Sequence, residues 1–166
     1  MLLSSFPVLR KLEIISNVSI SCYFLTNTVI KILSLAVFVR PLYDKVMLDG
    51  FINLQRLTVR CCNLTKKLMQ SILILPRLQI LILQGISYDE NDANIFDMKQ
   101  YTICFALKEF HLGISTIKFT EKMLCSILTC FASPLERLET GSVDMSQEIF
   151  HALQEEYRFK TIITSN

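Results

Sequence analysis

Six cysteines and two histidines are the side chains of this 166-residue chain best suited to metal binding or nucleophilic attack, and their spacing supports neither chemistry. Cys61 and Cys62 are adjacent, so they lack the spacer that lets two thiolates grip one ion, and no His or Cys near them completes a four-ligand set. Cys22, Cys104, Cys125 and Cys130 show none of the regular spacing of a secreted disulfide scaffold, and buried reduced thiols are the expected state. His111 lies between Phe110 and Leu112 in an alternating stretch that points it away from the core, and no Ser or Cys is placed to work with it. His151 falls within a helical pattern, on its solvent side.

Phosphate and calcium chemistry fare no better. Four isolated glycines cannot build a phosphate-cradling loop. The acidic run over 88–97, YDENDANIFD, lacks the central glycine and closing glutamate of a calcium loop and reads as an exposed insertion. With 17 basic against 15 acidic residues, no global field draws the chain to nucleic acid or an anionic membrane. The expectation is a chain without cofactor or metal that is not an enzyme.

Targeting signals are equally sparse. The opening MLLSSFPVLRKLEI has neither the basic start nor the unbroken apolar stretch of a signal peptide. The most apolar window, 19–39, carries Lys31 near its centre together with Thr26, Asn27, Thr28 and Ser34, and that lysine alone costs about 3 kcal/mol at the middle of a membrane helix. The run over 68–83 is broken at Pro76-Arg77 and is too short to span a bilayer. Asn17-Val-Ser and Asn63-Leu-Thr match the glycosylation sequon, which matters only in a secreted protein. Cytoplasm or nucleus is the expected compartment, with a membrane-associated protein using 19–39 the weakest alternative.

What does recur is a short apolar pattern, L-x-x-L-x-L, at Leu9/Leu12/Ile14, Ile30/Leu33/Leu35, Leu54/Leu57/Val59 and Leu78/Leu81/Leu83, then at Leu107/Phe110/Leu112, Leu135/Leu138/Thr140 and Phe159/Ile162/Thr164. The first positions lie 21, 24, 24, 29, 28 and 24 residues apart. Alternate residues of a strand face the same way, so the second and third members of each set share a core face. Between the sets come helical patterns: Thr65 before KKLMQSILIL, Thr120 before EKMLCSILTCF and Ser146 before QEIFHALQEEY, each a hydroxyl placed to cap the first free amides. Their apolar faces are Leu68/Ile72/Leu75, Met123/Ile127/Cys130 and Ile149/Leu153/Tyr157. Pro7, Pro76 and Pro134 stand just ahead of strand sets, and Gly85, Gly113 and Gly141 just after them, where the chain must turn out of the sheet.

In these residues the chain resembles the leucine-rich-repeat family, in its long, helix-containing, ribonuclease-inhibitor-like and F-box-associated form. The unit LQRLTVRCCNLTKKLMQSILILPRLQILIL is similar to the cysteine-containing subtype, with Cys62 after the strand and Leu64-Thr65 opening the helix. Thr140 departs from the pattern by standing where an apolar residue belongs, and most units lack the Asn or Cys. The resemblance implies an α/β fold: a right-handed solenoid, or horseshoe, of about seven repeats, with a parallel sheet on the concave face and helices on the convex face. It covers 1–166 as a single domain. Neither end shows the polar cap that a solenoid needs, so the chain is expected to be a portion of a longer solenoid or multidomain protein.

The same resemblance places the partner-binding side chains on the concave face: Arg10, Lys11, Glu13, Lys31, Arg56, Thr58 and Arg60 from the first three units, and Gln79, Ile82, Gln84, Lys108, Glu109, His111, Glu136, Arg137 and Glu139 from the later ones. The first group has a net charge of +4 and the second −1, which favours a protein partner with an acidic segment at the early units. Ile32, Ala36 and Val37 in the second unit are either an apolar anchor or a buried turn. The implied function is a protein–protein interaction module, with the substrate-recognition repeats of an F-box type ubiquitin-ligase adaptor as the leading role. A sensor or inhibitor domain of the innate-immune-receptor or ribonuclease-inhibitor kind is the alternative.

Overall fold

The computed structural model describes residues 8–16, 29–37, 48, 50–60, 65–85, 106–113, 124–125, 128–129, 131, 134–141, 146–157 and 161–164. Seven strands run through them: β1 (Lys11–Ser16), β2 (Ile32–Val37), β3 (Arg56–Arg60), β4 (Ile80–Gln84), β5 (Glu109–Leu112), β6 (Arg137–Thr140) and β7 (Thr161–Thr164). They form one sheet in the order β1-β2-β3-β4-β5-β6-β7, and every neighbouring pair is parallel. A sequential all-parallel sheet with helical connections is an α/β architecture consistent with a repeat solenoid.

The register follows the apolar pattern without slippage. Leu12, Leu33, Leu57, Leu81, Phe110, Leu138 and Ile162 pair across the sheet in one row, and Ile14, Leu35, Val59, Leu83, Leu112, Thr140 and Thr164 in another. A one-residue slip would turn a whole strand's apolar set to the other face, so burial of these rows holds the register. Leu33, Leu57, Leu81, Phe110 and Leu138 of the first row and Leu35, Val59, Leu83 and Leu112 of the second belong to one apolar core, which also takes in the first members of the pattern, Ile30, Leu54, Leu78, Leu107 and Leu135. Leu9, just ahead of β1, and Leu12 and Ile14 within it pack against this core while only partly buried.

A backbone device repeats ahead of the strands. The carbonyl oxygens of Arg10, Lys31, Gln55, Gln79 and Lys108 each accept from two successive N–H groups of the following unit, at 2.7–3.1 Å, as when Gln55 O accepts from Gln79 N and Ile80 N. Each carbonyl has two lone pairs, so one acceptor satisfies both donors and aligns the next strand before its ladder begins.

Helix α1 (Lys66–Leu73) begins where expected, with Thr65 in extended geometry and its Oγ1 accepting from Leu68 N at 3.3 Å. It buries Leu68, Met69, Ile72 and Leu73 in the core, and Leu75 beyond its end is buried as well. Helix α2 (Gln147–Tyr157) has Ser146 Oγ accepting from Ile149 N at 3.4 Å, and it lays Ile149, Leu153 and Tyr157 on the core. In the middle segment Leu124 and Leu128 are helical and buried, spaced to share a helical face. The expected face there, Met123/Ile127/Cys130, lies outside the described residues, as do Thr120, Pro7 and the acidic run 88–97. Phe110 meets Phe131 edge-on at 5.7 Å between centroids, joining β5 to this segment.

The turns fit the glycines. Gly85 has φ 60, a left-handed conformation that L side chains adopt only under strain. At Gly113 an added Cβ would come within 2.7 Å of Gln84 Cγ, so the absence of a side chain lets the two strand ends approach. Among the described residues no helix is long and apolar enough to cross a membrane. Within the window 19–39, residues 32–37 form β2 between β1 and β3, so this stretch is not one continuous helix. The same placement corrects one alternative for Ile32, Ala36 and Val37: they lie in a strand, not in a buried turn.

Candidate functional site: the outward face of the sheet

Strand alternation sends one set of side chains into the core and the other onto the opposite face of the sheet. On that outward face, register brings the expected partner-binding residues into rows. Lys11, Ile32, Arg56, Ile80, Glu109 and Arg137 form one; Glu13, Ser34, Thr58, Ile82, His111 and Glu139 form the next. Ile15, Ala36, Arg60 and Gln84 form a third. Arg10, Lys31, Gln79, Lys108 and Glu136 line the entry to the strands, tied together by the shared carbonyls.

Accessibility along these rows is uneven. Arg10, Lys11, Glu13, Arg56, Arg60, Gln79, Lys108 and Glu136 are exposed, whereas Lys31, Gln84, Glu109, His111, Arg137 and Glu139 are half-buried. Thr58 and Ile82 are only 8% exposed each, which removes them from the set of freely available contacts. Both are in the central row on interior strands, with a strand on either side, and in the next row Arg60 and Gln84 are joined by a hydrogen bond. Glu13 occupies the same row on the outermost strand and stays open. Ala36 is closed off like Thr58, but Ile32 and Ile15 are 37% and 67% exposed.

Electrostatically the face has two halves. On β5 and β6 and at their entries the charged side chains pair with one another, although Arg137 Nε is buried without a hydrogen-bond partner among the described residues. Glu109 Oε2 lies 3.1 Å from His111 Nε2, and Glu139 Oε2 lies 3.0 Å from His111 Nδ1 and 2.9 Å from Arg137 Nη2. Lys108 Nζ sits 3.4 Å from Glu136 Oε1. A neutral imidazole has a single N–H to donate, so both His111 contacts are hydrogen bonds only when the ring carries two protons. The well-exposed Lys108–Glu136 pair contributes at most about 1 kcal/mol, and together these contacts hold the side chains in place and leave neither cation of this half without a carboxylate.

On β1–β3 the opposite holds. Arg10, Lys11, Lys31 and Arg56 form no ion pair among the described residues, and Arg60 donates from Nε to the neutral Gln84 Oε1 at 3.0 Å. Glu13 is the one carboxylate there among the described outward-facing residues.

Other chemistry-bearing groups do not converge here. His151 is exposed on α2, away from His111 in sequence and on a different element. Cys125 is partly buried against the core, and the remaining cysteines lie outside the described residues. Among the described residues no group of three His, Cys, Asp or Glu side chains is arranged to hold a metal ion.

Sequence reasoning missed two contributors to the scaffold beneath the face. Leu48 and Phe51 are fully buried, and Phe51 N donates to Leu48 O while Leu54 N donates to Phe51 O. They stand 24 residues before Ile72 and Leu75, whose turn into Leu78 is built the same way. That offset was the available signal. The face also takes in Ile15 and Ile80, which sequence reasoning left out, and Ile32, which it had offered as an apolar anchor. No family model, curated protein or solved structure matches the chain.

Proposed function

We propose that this chain is a leucine-rich-repeat domain of the right-handed, helix-containing kind, and that the outward face of its sheet is the concave surface that binds a protein partner. The observation that carries this reading is the sheet itself. Seven strands stack in sequence with unbroken register, and paired positions 21, 24, 24, 29, 28 and 24 residues apart return equivalent residues to one face. A short parallel strand in every unit leaves a broad surface of side chains held at fixed spacing, which suits an extended partner better than it suits a buried small-molecule site. The exposed cations of the first three strands supply contact groups that no other part of the described structure neutralises.

The repeat subtype implies, by resemblance, the substrate-recognition region of an F-box type ubiquitin-ligase adaptor, acting in the cytoplasm or nucleus. The test is site-specific photo-crosslinking in cells, with a benzophenone side chain placed at Arg56 or Gln79 on the outward face, or at Gln154 on α2 as the comparison. Discrete protein adducts from the outward positions and none from Gln154 are the expected result. Equal labelling from all three positions would refute a dedicated binding face.

A further inference from the structure

The two halves of the outward face differ in what they leave unsatisfied, and this difference specifies an occupant. We infer that the face formed by β1–β3 is built to receive an extended acidic peptide segment carrying apolar residues between its carboxylates. This rests on the partner-binding reading and sharpens it to one surface and one chemistry.

Along the first outward row, Lys11, Ile32 and Arg56 are direct neighbours on successive strands: a cation, an exposed aliphatic side chain and a second cation. Adjacent strands are about 4.8 Å apart, so the two cations stand roughly 10 Å from each other with Ile32 between them. A peptide crossing the strands in extended form turns every second side chain toward the sheet. Two carboxylates four residues apart, with an apolar residue midway, reach that row, and the long Lys and Arg side chains absorb the residual mismatch. Arg10 and Lys31 flank the row at the strand entrances, Arg60 lies beyond it, and Ile15 offers a second apolar contact at 67% exposure. Five basic side chains face a single carboxylate, Glu13.

Two features argue for an acidic peptide over a nucleic acid. The outward rows of β1–β4 contain no aromatic residue on which a base could stack. Between the cations lie aliphatic side chains, which are suited to leucine-like partners and gain nothing from a sugar–phosphate backbone. On β5 and β6, by contrast, Lys108 is engaged by Glu136, and Arg137 and His111 by Glu139. An incoming carboxylate there would have to displace one already in place, so the acidic segment is confined to the first three strands.

The test uses the full chain and a fluorescent 16-residue peptide of repeating Glu-Ser-Leu-Ser, with Lys-Ser-Leu-Ser and a 16-nucleotide oligouridylate as comparisons, read by anisotropy at 50 and 300 mM salt. The acidic peptide should bind and weaken severalfold at the higher salt, since exposed charges are screened beyond about 8 Å already at physiological ionic strength. The double variant Lys11→Gln/Arg56→Gln changes two exposed side chains that stabilise no described contact, and it should lose about tenfold in affinity. Ile32→Ser should lose about fivefold with the salt dependence unchanged. Lys108→Gln/Glu136→Gln, on the neutralised half, should stay within about twofold. No binding of the acidic peptide, equal binding of the oligouridylate, or equal losses in the two double variants would each overturn the inference. Should outward-face crosslinks persist in cells while the acidic peptide fails, the acidic assignment falls and the binding face stands. Should the crosslinks also be absent, the binding face falls with it.

Discussion

Thr140 sits in a row otherwise filled, through its described core members, by Ile14, Leu35, Val59, Leu83 and Leu112. It is 2% exposed, and its Oγ1 has no hydrogen-bond partner among the described residues. A hydroxyl taken out of water without a partner costs about 1–3 kcal/mol on the scale drawn from protein mutants. Valine has nearly the same shape and keeps the β-branch that suits a strand, so Thr140→Val removes the penalty with little repacking. An expected gain of about 1–2 kcal/mol corresponds to a rise in Tm of roughly 2–8 °C for a domain of this size. Urea unfolding followed by circular dichroism should show a higher midpoint with an unchanged slope, because the surface exposed on unfolding is the same. Thr58→Val provides an internal comparison, since Thr58 faces outward, and its replacement should move the midpoint less. A lower midpoint for Thr140→Val would mean that the hydroxyl is engaged after all, and the reasoning from burial would be wrong.

Phe110→Ala removes a fully buried ring and its edge-on contact with Phe131, so a loss of about 3–5 kcal/mol is expected in the same denaturation assay. Thr65→Ala strips the cap from α1 and should cost about 1 kcal/mol, while Thr65→Ser should retain most of it. Gly113→Ala forces Gln84 aside and with it the Arg60–Gln84 hydrogen bond, and Gln84→Ala should rescue it in a double-mutant cycle. Gly85→Ala, at φ 60, should lose about 1 kcal/mol or more by thermal unfolding, with no such rescue available.

The strands were legible in the sequence because their signal is local and redundant. In each of the first five units two apolar residues with one residue between them had to face the core, and the sets from Leu9 to Thr140 fall within the strands or two residues ahead of them. The first and third helix caps were legible for the same reason, each being a hydroxyl three residues before the amide it serves. Long-range consequences were not. Nothing local to Thr58 or Ile82 says that they will be buried on the outward face, since their neighbours across the sheet come from units 24 or more residues away. Likewise, the two carboxylates on His111 could be listed from the sequence, but their convergence depends on the pairing of β5 with β6 across a 28-residue unit. Leu48 and Phe51 were hidden because their unit opens with a weak apolar pattern, and only the 24-residue offset from Ile72 and Leu75 exposes them.

The shared carbonyl ahead of β2 to β6 gives the sheet a modular grammar. Because Lys31 O, Gln55 O and Gln79 O each hold the start of the next unit and none beyond it, a unit depends on its immediate neighbours alone. Duplicating residues 54–77, one full 24-residue period, would insert a strand whose entry donors find a carbonyl already in place and whose own carbonyl is ready for the old β4. Such a chain could lengthen by whole units while every existing pairing kept its register. The outward face would grow with it, gaining another Arg56 and Arg60 at each step, so the reach of this surface is a quantity that gene duplication can adjust in discrete increments without redesigning the core.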